Sequence, residues 1–122
     1  MIEKCVLLVD DEEEIVNFLE HFLKRFSISS IKASSGEEAL KIYDKDKICL
    51  TFLDIQLGGI DGITVLGELK KKHSDVKVIM ITGKAEKEFK DKAASLGVLG
   101  YVTKPLDLSE LKAIIHKYIL VK

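Results

Sequence analysis

Five short, nearly uninterrupted apolar runs, each followed by an amphipathic stretch, constrain this chain more than any other feature. The runs cover residues 4–9, 28–33, 49–53, 76–81 and 99–102. Continuous apolar runs of four to eight residues suit strands covered on both faces, as in parallel sheets. The stretches between them carry apolar residues three and four apart. The first shows Ile15, Phe18, Leu19, Phe22, Leu23 and Phe26, which gives a helix one apolar face. The second opens on Ser35-Gly36-Glu37-Glu38, a capping-box pattern. The third carries Ile63, Leu66 and Leu69. The fourth spans 85–96 and ends at Gly97, a C-cap signal. The fifth starts with Asp107 as cap and Glu110 three residues on. Strict alternation of five strands and five helices predicts an α/β fold, a parallel sheet with helices on both faces.

With 122 residues and no internal repeat or linker, the chain reads as one domain, 1–122, which a longer protein could also contain. A net charge of −1 argues against a general polyanion binder, so no direct nucleic-acid binding is expected. No apolar run reaches the roughly 20 residues that span a bilayer, and Met1-Ile2-Glu3-Lys4 does not open a secretory signal. A cytoplasmic location with no membrane partner is the expectation. Cys5 and Cys49 read as reduced core thiols, with a bridge conceivable if their strands are neighbours. His21, His73 and His116 fall singly on helices without ligand spacing and read as surface residues.

Two of the runs end in carboxylates. Asp10 and Asp11 follow the first, and Asp54 follows the third. In open parallel sheets ligands bind beyond the carboxyl ends of the strands, where strand order reverses. Thr82 and Lys104 stand at the ends of the fourth and fifth strands, so five polar groups share one end of the sheet. Like charges at contact repel by on the order of 4 kcal/mol at an effective dielectric near 20. Clustered carboxylates therefore retain protons or take a cation. An all-oxygen acidic set suits a hard divalent ion, Mg²⁺ above all. Asp54 is then a potential oxygen nucleophile toward phosphorus. Thr82 offers a hydroxyl and Lys104 a positive charge to phosphoryl oxygens. Phosphoryl transfer needs little beyond such positioning and neutralisation.

These residues make the chain resemble a response-regulator receiver domain, the phosphoacceptor module of two-component signalling. The resemblance runs through Val9-Asp10-Asp11, Leu53-Asp54, Asp61-Gly62, Ile81-Thr82-Gly83, Gly97 and Tyr101-Val102-Thr103-Lys104-Pro105. It implies a flavodoxin-like five-stranded sheet in the order 2-1-3-4-5. It also implies that Asp54 accepts a phosphoryl group from a phosphohistidine on a histidine kinase or phosphotransfer protein. Asp10 and Asp11, with Asp11 the direct ligand, would hold Mg²⁺ together with Asp54 and the backbone carbonyl of Gln56. Thr82 would move to bond the phosphoryl group, Lys104 would pair with it, and Tyr101 would change rotamer with Thr82. The Lys104–Pro105 peptide would be cis, an isomer that proline makes affordable. The partner surface would lie around the fourth helix, fifth strand and fifth helix, with the downstream protein or output domain unspecified. The module would assist its own phosphorylation and dephosphorylation without being a turnover enzyme.

Departures from the family pattern set further expectations. Gly58-Gly59 replaces a proline turn, which predicts a mobile loop after Asp54. Lys84 is expected near the mouth of the site, where its charge could affect hydrolytic water. Lysines 84, 87, 90 and 92 crowd the fourth helix and read as a solvated face. Three other functions compete. An aspartyl-phosphate-type phosphohydrolase wants an acid two residues after its nucleophile, where Gln56 stands. A flavin module needs a hydroxyl- and glycine-rich loop where Asp10-Asp11-Glu12-Glu13-Glu14 occurs. A phosphorylation-independent interaction domain does not require the full set of site residues.

Overall fold

The computed structural model describes residues 5–57, 60–83 and 87–120. Five parallel strands, β1 (Cys5–Val9), β2 (Ser29–Ala33), β3 (Ile48–Asp54), β4 (Val78–Thr82) and β5 (Gly100–Thr103), form one sheet in the order β2-β1-β3-β4-β5. Between and after them run α1 (Glu13–Lys24), α2 (Gly36–Ile42), α3 (Gly62–Lys72), α4 (Lys87–Ser95) and α5 (Leu108–Ile115). A π-helical turn, His116–Leu120, continues α5. Fold class, strand order and helix count agree with the sequence reading. Lys4, Gly58, Gly59, Lys84 and the first two residues of the expected fourth helix lie outside the described residues.

The apolar runs are continuous because alternate strand residues serve two cores. Val6, Leu8, Leu50, Phe52, Ile79 and Ile81 meet α1 and α5 through Leu19, Leu23, Leu111 and Ile115. Leu7, Val9, Leu53, Val78 and Met80 meet α2, α3 and α4 through Ala39, Val65, Leu66, Leu69 and Ala93. Each fully buried Leu or Phe contributes roughly 2 kcal/mol, so these layers fix the sheet and hence the positions of its strand ends. The caps at Ser35 and Asp107 are as expected, and Asp61 caps α3 as well. Ser35 Oγ accepts from the Glu38 N–H at 3.1 Å and Asp61 Oδ1 from the Thr64 N–H at 2.8 Å. Asp107 Oδ1 accepts from the Ser109 N–H at 2.7 Å and the Glu110 N–H at 3.3 Å. Glu38 reaches back to the Ser34 N–H at 2.8 Å, one residue earlier than a standard capping box. Gly97 follows α4 at φ +83°, the left-handed conformation that favours glycine.

Several details differ from the sequence reading. Phe18, read as part of an apolar helix face, is exposed. His73 is half-buried, its ring 4.8 Å from that of Tyr43, while His21 and His116 are exposed, the latter meeting the edge of Phe26 at 6.0 Å. Cys5 and Cys49 lie on adjacent strands but form no disulfide. The register of β1 against β3 slips between Cys5 and Val6, which pair with Ile48 and Leu50. Cys49 is the extra residue. It packs into the α1–α5 core, whereas Cys5 packs into the other.

Thr51, on the central strand β3, is fully buried, and its Oγ1 has no hydrogen-bond partner among the described residues. A buried hydroxyl without a partner costs about 1–3 kcal/mol. Thr51→Val, which keeps the shape, is expected to stabilise the fold by about 1 kcal/mol. Urea unfolding would show this as a higher midpoint with an unchanged slope.

Candidate functional site

The sheet order places the ends of β1 and β3 side by side, with α1 leaving on one face and α3 on the other. This is the crevice where a parallel sheet binds ligands. Asp54 is the last residue of β3, paired with Ile81, and Thr82 is the last of β4, paired with Thr103. Asp10 follows β1 directly, and Lys104 follows β5. Asp10, Asp54 and Thr82 are buried, at 2%, 2% and 4% exposure.

The two aspartates are held alike. Asp10 Oδ1 accepts from the Glu12 N–H at 2.9 Å, and Asp54 Oδ1 accepts from the Gln56 N–H at 3.0 Å. Each is an aspartate bonded to the backbone two residues on, which fixes its carboxylate plane. Their Oδ2 atoms both face Lys104 Nζ, at 3.2 Å. Of these two atoms Asp54 Oδ2 accepts a hydrogen bond from it, whereas the buried Asp10 Oδ2 has no hydrogen-bond partner among the described residues. Glu12 supplies a third carboxylate, with Oε1 2.7 Å from the same ammonium. The Lys104 main chain is anchored too, its N–H donating to the Thr82 carbonyl at 2.9 Å. The Lys104–Pro105 peptide is cis.

The backbone behind Asp54 is held by a glycine. Gly62, the first residue of α3, donates its N–H to the Ile55 carbonyl at 2.9 Å. A Cβ on it would lie 2.1 Å from the Asp54 carbonyl oxygen and 2.8 Å from the Ile55 Cα. Only hydrogen fits between α3 and the end of β3.

Three carboxylates against one ammonium leave two negative charges in excess. Burial pushes the Asp10 carboxyl up to about 6, and the neighbouring charge of Asp54 adds to this. The Glu12 N–H and the Lys104 charge pull the other way without prevailing. For Lys104, burial disfavours the charged form, but the bond to Glu12 and the charges of Asp54 and Asp10 outweigh it and raise its pKa.

A divalent cation fits these residues. Asp10, Glu12 and Asp54 bring one carboxylate oxygen each to within 4.8 Å of one another. The donors are all oxygen, the excess charge is −2, and Asp10 Oδ2 is buried without a hydrogen bond among the described residues. The sequence reading missed Glu12 and gave Asp11 the direct role. The structure leaves Asp11 exposed and outside this trio. In the structure Glu12 opens α1 from the cap position, where Glu is not a favoured residue. Gln56 meets the site through its main chain, and its side chain is exposed. Tyr101 stands away from the carboxylates. Its hydroxyl donates to the Lys90 carbonyl of α4, and Lys90 Nζ lies 5.6 Å from its ring centroid. A cleft of about 800 Å³ lies at the other end of the sheet, beside Ile48, Cys49 and Val76.

A model of the response regulator receiver domain matches residues 6–116. The chain belongs to this family. It is 39% identical over 112 residues to the alkaline phosphatase synthesis transcriptional regulatory protein PhoP of Bacillus subtilis, covering 92% of this chain and 47% of PhoP. It is 38% identical over 108 residues to the regulatory protein VanR of Enterococcus faecium, covering 88% and 46%. The chain thus spans about half the length of these relatives. Among solved structures it resembles TrrA of Thermotoga maritima in complex with Mg²⁺ and BeF (35% identity, TM-score 0.82, 95% of this chain and 99% of that one). It also resembles the CheX–CheY–BeF3–Mg²⁺ complex of Borrelia burgdorferi (29% identity, TM-score 0.87, 99% and 92%). This is a receiver domain of two-component response regulators, and Asp10, Glu12 and Asp54 fit its Mg²⁺-dependent phosphoacceptor site. The family is not a classical enzyme family, and its members interact with histidine kinases and phosphotransfer proteins. No helix among the described residues is long and apolar enough to cross a membrane.

Two outcomes follow from this geometry. The folded-state pKa of Asp10, about 6, lies above its ordinary 3.8, so the folded protein binds more protons between these values. Stability therefore falls as pH rises through this window, and the cost is fully present above about pH 6. Asp10→Asn removes it. In metal-free buffer the variant is expected to melt above the wild type at pH 7.5, with the gap closing below pH 4. Separately, Gly62→Ala is expected to destabilise the fold by roughly 2 kcal/mol through overpacking, measured by urea unfolding.

Proposed function

We propose that Asp54 is the phosphoacceptor of an aspartyl-phosphate switch and that Asp10, Asp11, Asp54 and the Gln56 carbonyl form its Mg²⁺ site, with Glu12 close by. The convergence of three carboxylates on the Lys104 ammonium, two of them buried, carries this reading. An Asp54 oxygen attacks the phosphorus of a phosphohistidine on a kinase or phosphotransfer protein. The O–P bond forms as the P–N bond breaks, and the imidazole leaves with the electron pair. The bond from the Gln56 N–H to Oδ1 orients the carboxylate and leaves Oδ2 on the side of Lys104. When bound, Mg²⁺ would supply charge neutralisation between the carboxylates and the incoming phosphoryl oxygens. Lys104 pairs with those oxygens, and the Thr82 hydroxyl bonds one of them.

The switch is the second part of the proposal. Thr82 and Lys104 share a main-chain hydrogen bond, so a shift of Thr82 toward the phosphoryl group is felt on β5. Tyr101, three residues before Lys104, is tied to α4 through the Lys90 carbonyl. Its release or reorientation would alter the surface of α4, β5 and α5 that a downstream protein or output domain reads. The domain itself binds neither nucleic acid nor membrane and works in the cytoplasm. Return to the unphosphorylated state is hydrolysis: water attacks phosphorus, the Asp54 O–P bond breaks, and inorganic phosphate leaves. The domain assists both steps without turning over an external substrate. Gln56 in place of a carboxylic acid argues against a phosphohydrolase.

Incubation with Mg²⁺ and acetyl phosphate is expected to add one phosphoryl group, read by intact-mass spectrometry. Asp54→Asn or chelation with EDTA is expected to abolish the gain. An intact protein that gains no mass with Mg²⁺ present would refute the phosphoacceptor assignment.

A further inference from the structure

Glu12 occupies the N-cap of α1, yet its side chain makes no capping bond. Ser, Thr, Asp and Asn are preferred there because their short side chains accept from the first-turn N–H groups. Glu12 gives up that bond and reaches across to Lys104, 92 residues away in sequence. Its 2.7 Å contact is the shortest of the three that Lys104 makes, the other two being 3.2 Å. The burial is graded as well. The side chains of Asp10 and Asp54 are 1% and 3% exposed, that of Lys104 is 15%, and that of Glu12 is 59%. The ammonium is therefore held between a buried pair and one rim carboxylate. The Glu12 backbone is fixed by its N–H bond to Asp10, so the rim carboxylate and the buried one move together.

Building on the phosphoacceptor reading above, we propose that Glu12 is a positioning residue that tethers Lys104 at the rim of the pocket in the unphosphorylated protein and competes with the phosphoryl group for it. An ammonium shared with Glu12 is less available to the phosphoryl oxygens on Asp54. Glu12 thus sets how readily the site is phosphorylated, acting through Lys104 rather than on phosphorus. Glu13, exposed in the first turn of the same helix, has no such contact and serves as a charge-matched control.

The test compares wild type with E12Q and E13Q. Phosphorylation by acetyl phosphate is followed at saturating Mg²⁺, which removes differences in metal affinity. E12Q is expected to be faster by about two- to fivefold, the size of one partly exposed ion pair, and E13Q to match wild type. Equal acceleration in E12Q and E13Q would show a general charge effect and overturn the proposal. So would an unchanged or slower rate in E12Q. The second measurement is the NMR signal of the Lys104 side chain in metal-free protein. It is expected to shift in E12Q and not in E13Q, and an unmoved signal in E12Q would refute the tether. If wild type takes up no phosphoryl group, the phosphoacceptor reading fails, while the Lys104 signal still decides whether Glu12 holds the lysine.

Discussion

The repulsion between two buried aspartates, contained by one lysine, is the interaction on which the pocket depends. Asp10 and Asp54 come from strands that neighbour only because the sheet crosses over, and Lys104 comes from the far edge of that sheet. Lys104 offsets part of the repulsion that burial sharpens between the two aspartates, and Asp10 still carries a cost in its ionised form. A carboxylate pair alone would hold its protons, and a buried ammonium alone would lose one. Together they leave an excess of negative charge that a divalent cation can satisfy. The fold contributes by fixing the strand ends, and it does so through the two apolar layers rather than through any contact in the pocket itself.

Much of this was legible in the residues. The five apolar runs, the caps at Ser35 and Asp107 and the turn at Gly97 each have a local physical cause, and local causes can be read from sequence. Asp54 and Lys104 were legible because strand ends of a parallel sheet share one side. The strand boundaries were less so. Val76 and Ile28 are buried but precede their strands. An apolar residue entering a sheet is buried whether or not its backbone has joined the ladder. Phe18 has helical spacing but sits at the border of its stripe, where three- and four-residue periods cannot separate half-covered from covered.

The pocket's chemistry was legible only in part, for a geometric reason. Three consecutive acids, Asp10, Asp11 and Glu12, diverge because the chain turns there to start α1. The first points into the crevice and the third reaches Lys104, while the second is exposed. Sequence order alone does not say which members of such a run converge. The unfilled cap at Glu12 is the local irregularity that marks the answer, since a residue that abandons a favourable bond with its own helix has found another.

The register slip at the start of β1 has a consequence for redox behaviour. By sending Cys49 through the sheet to the layer opposite Cys5, it puts a wall of backbone between the two sulfurs. Oxidising conditions cannot staple the fold to itself by this route.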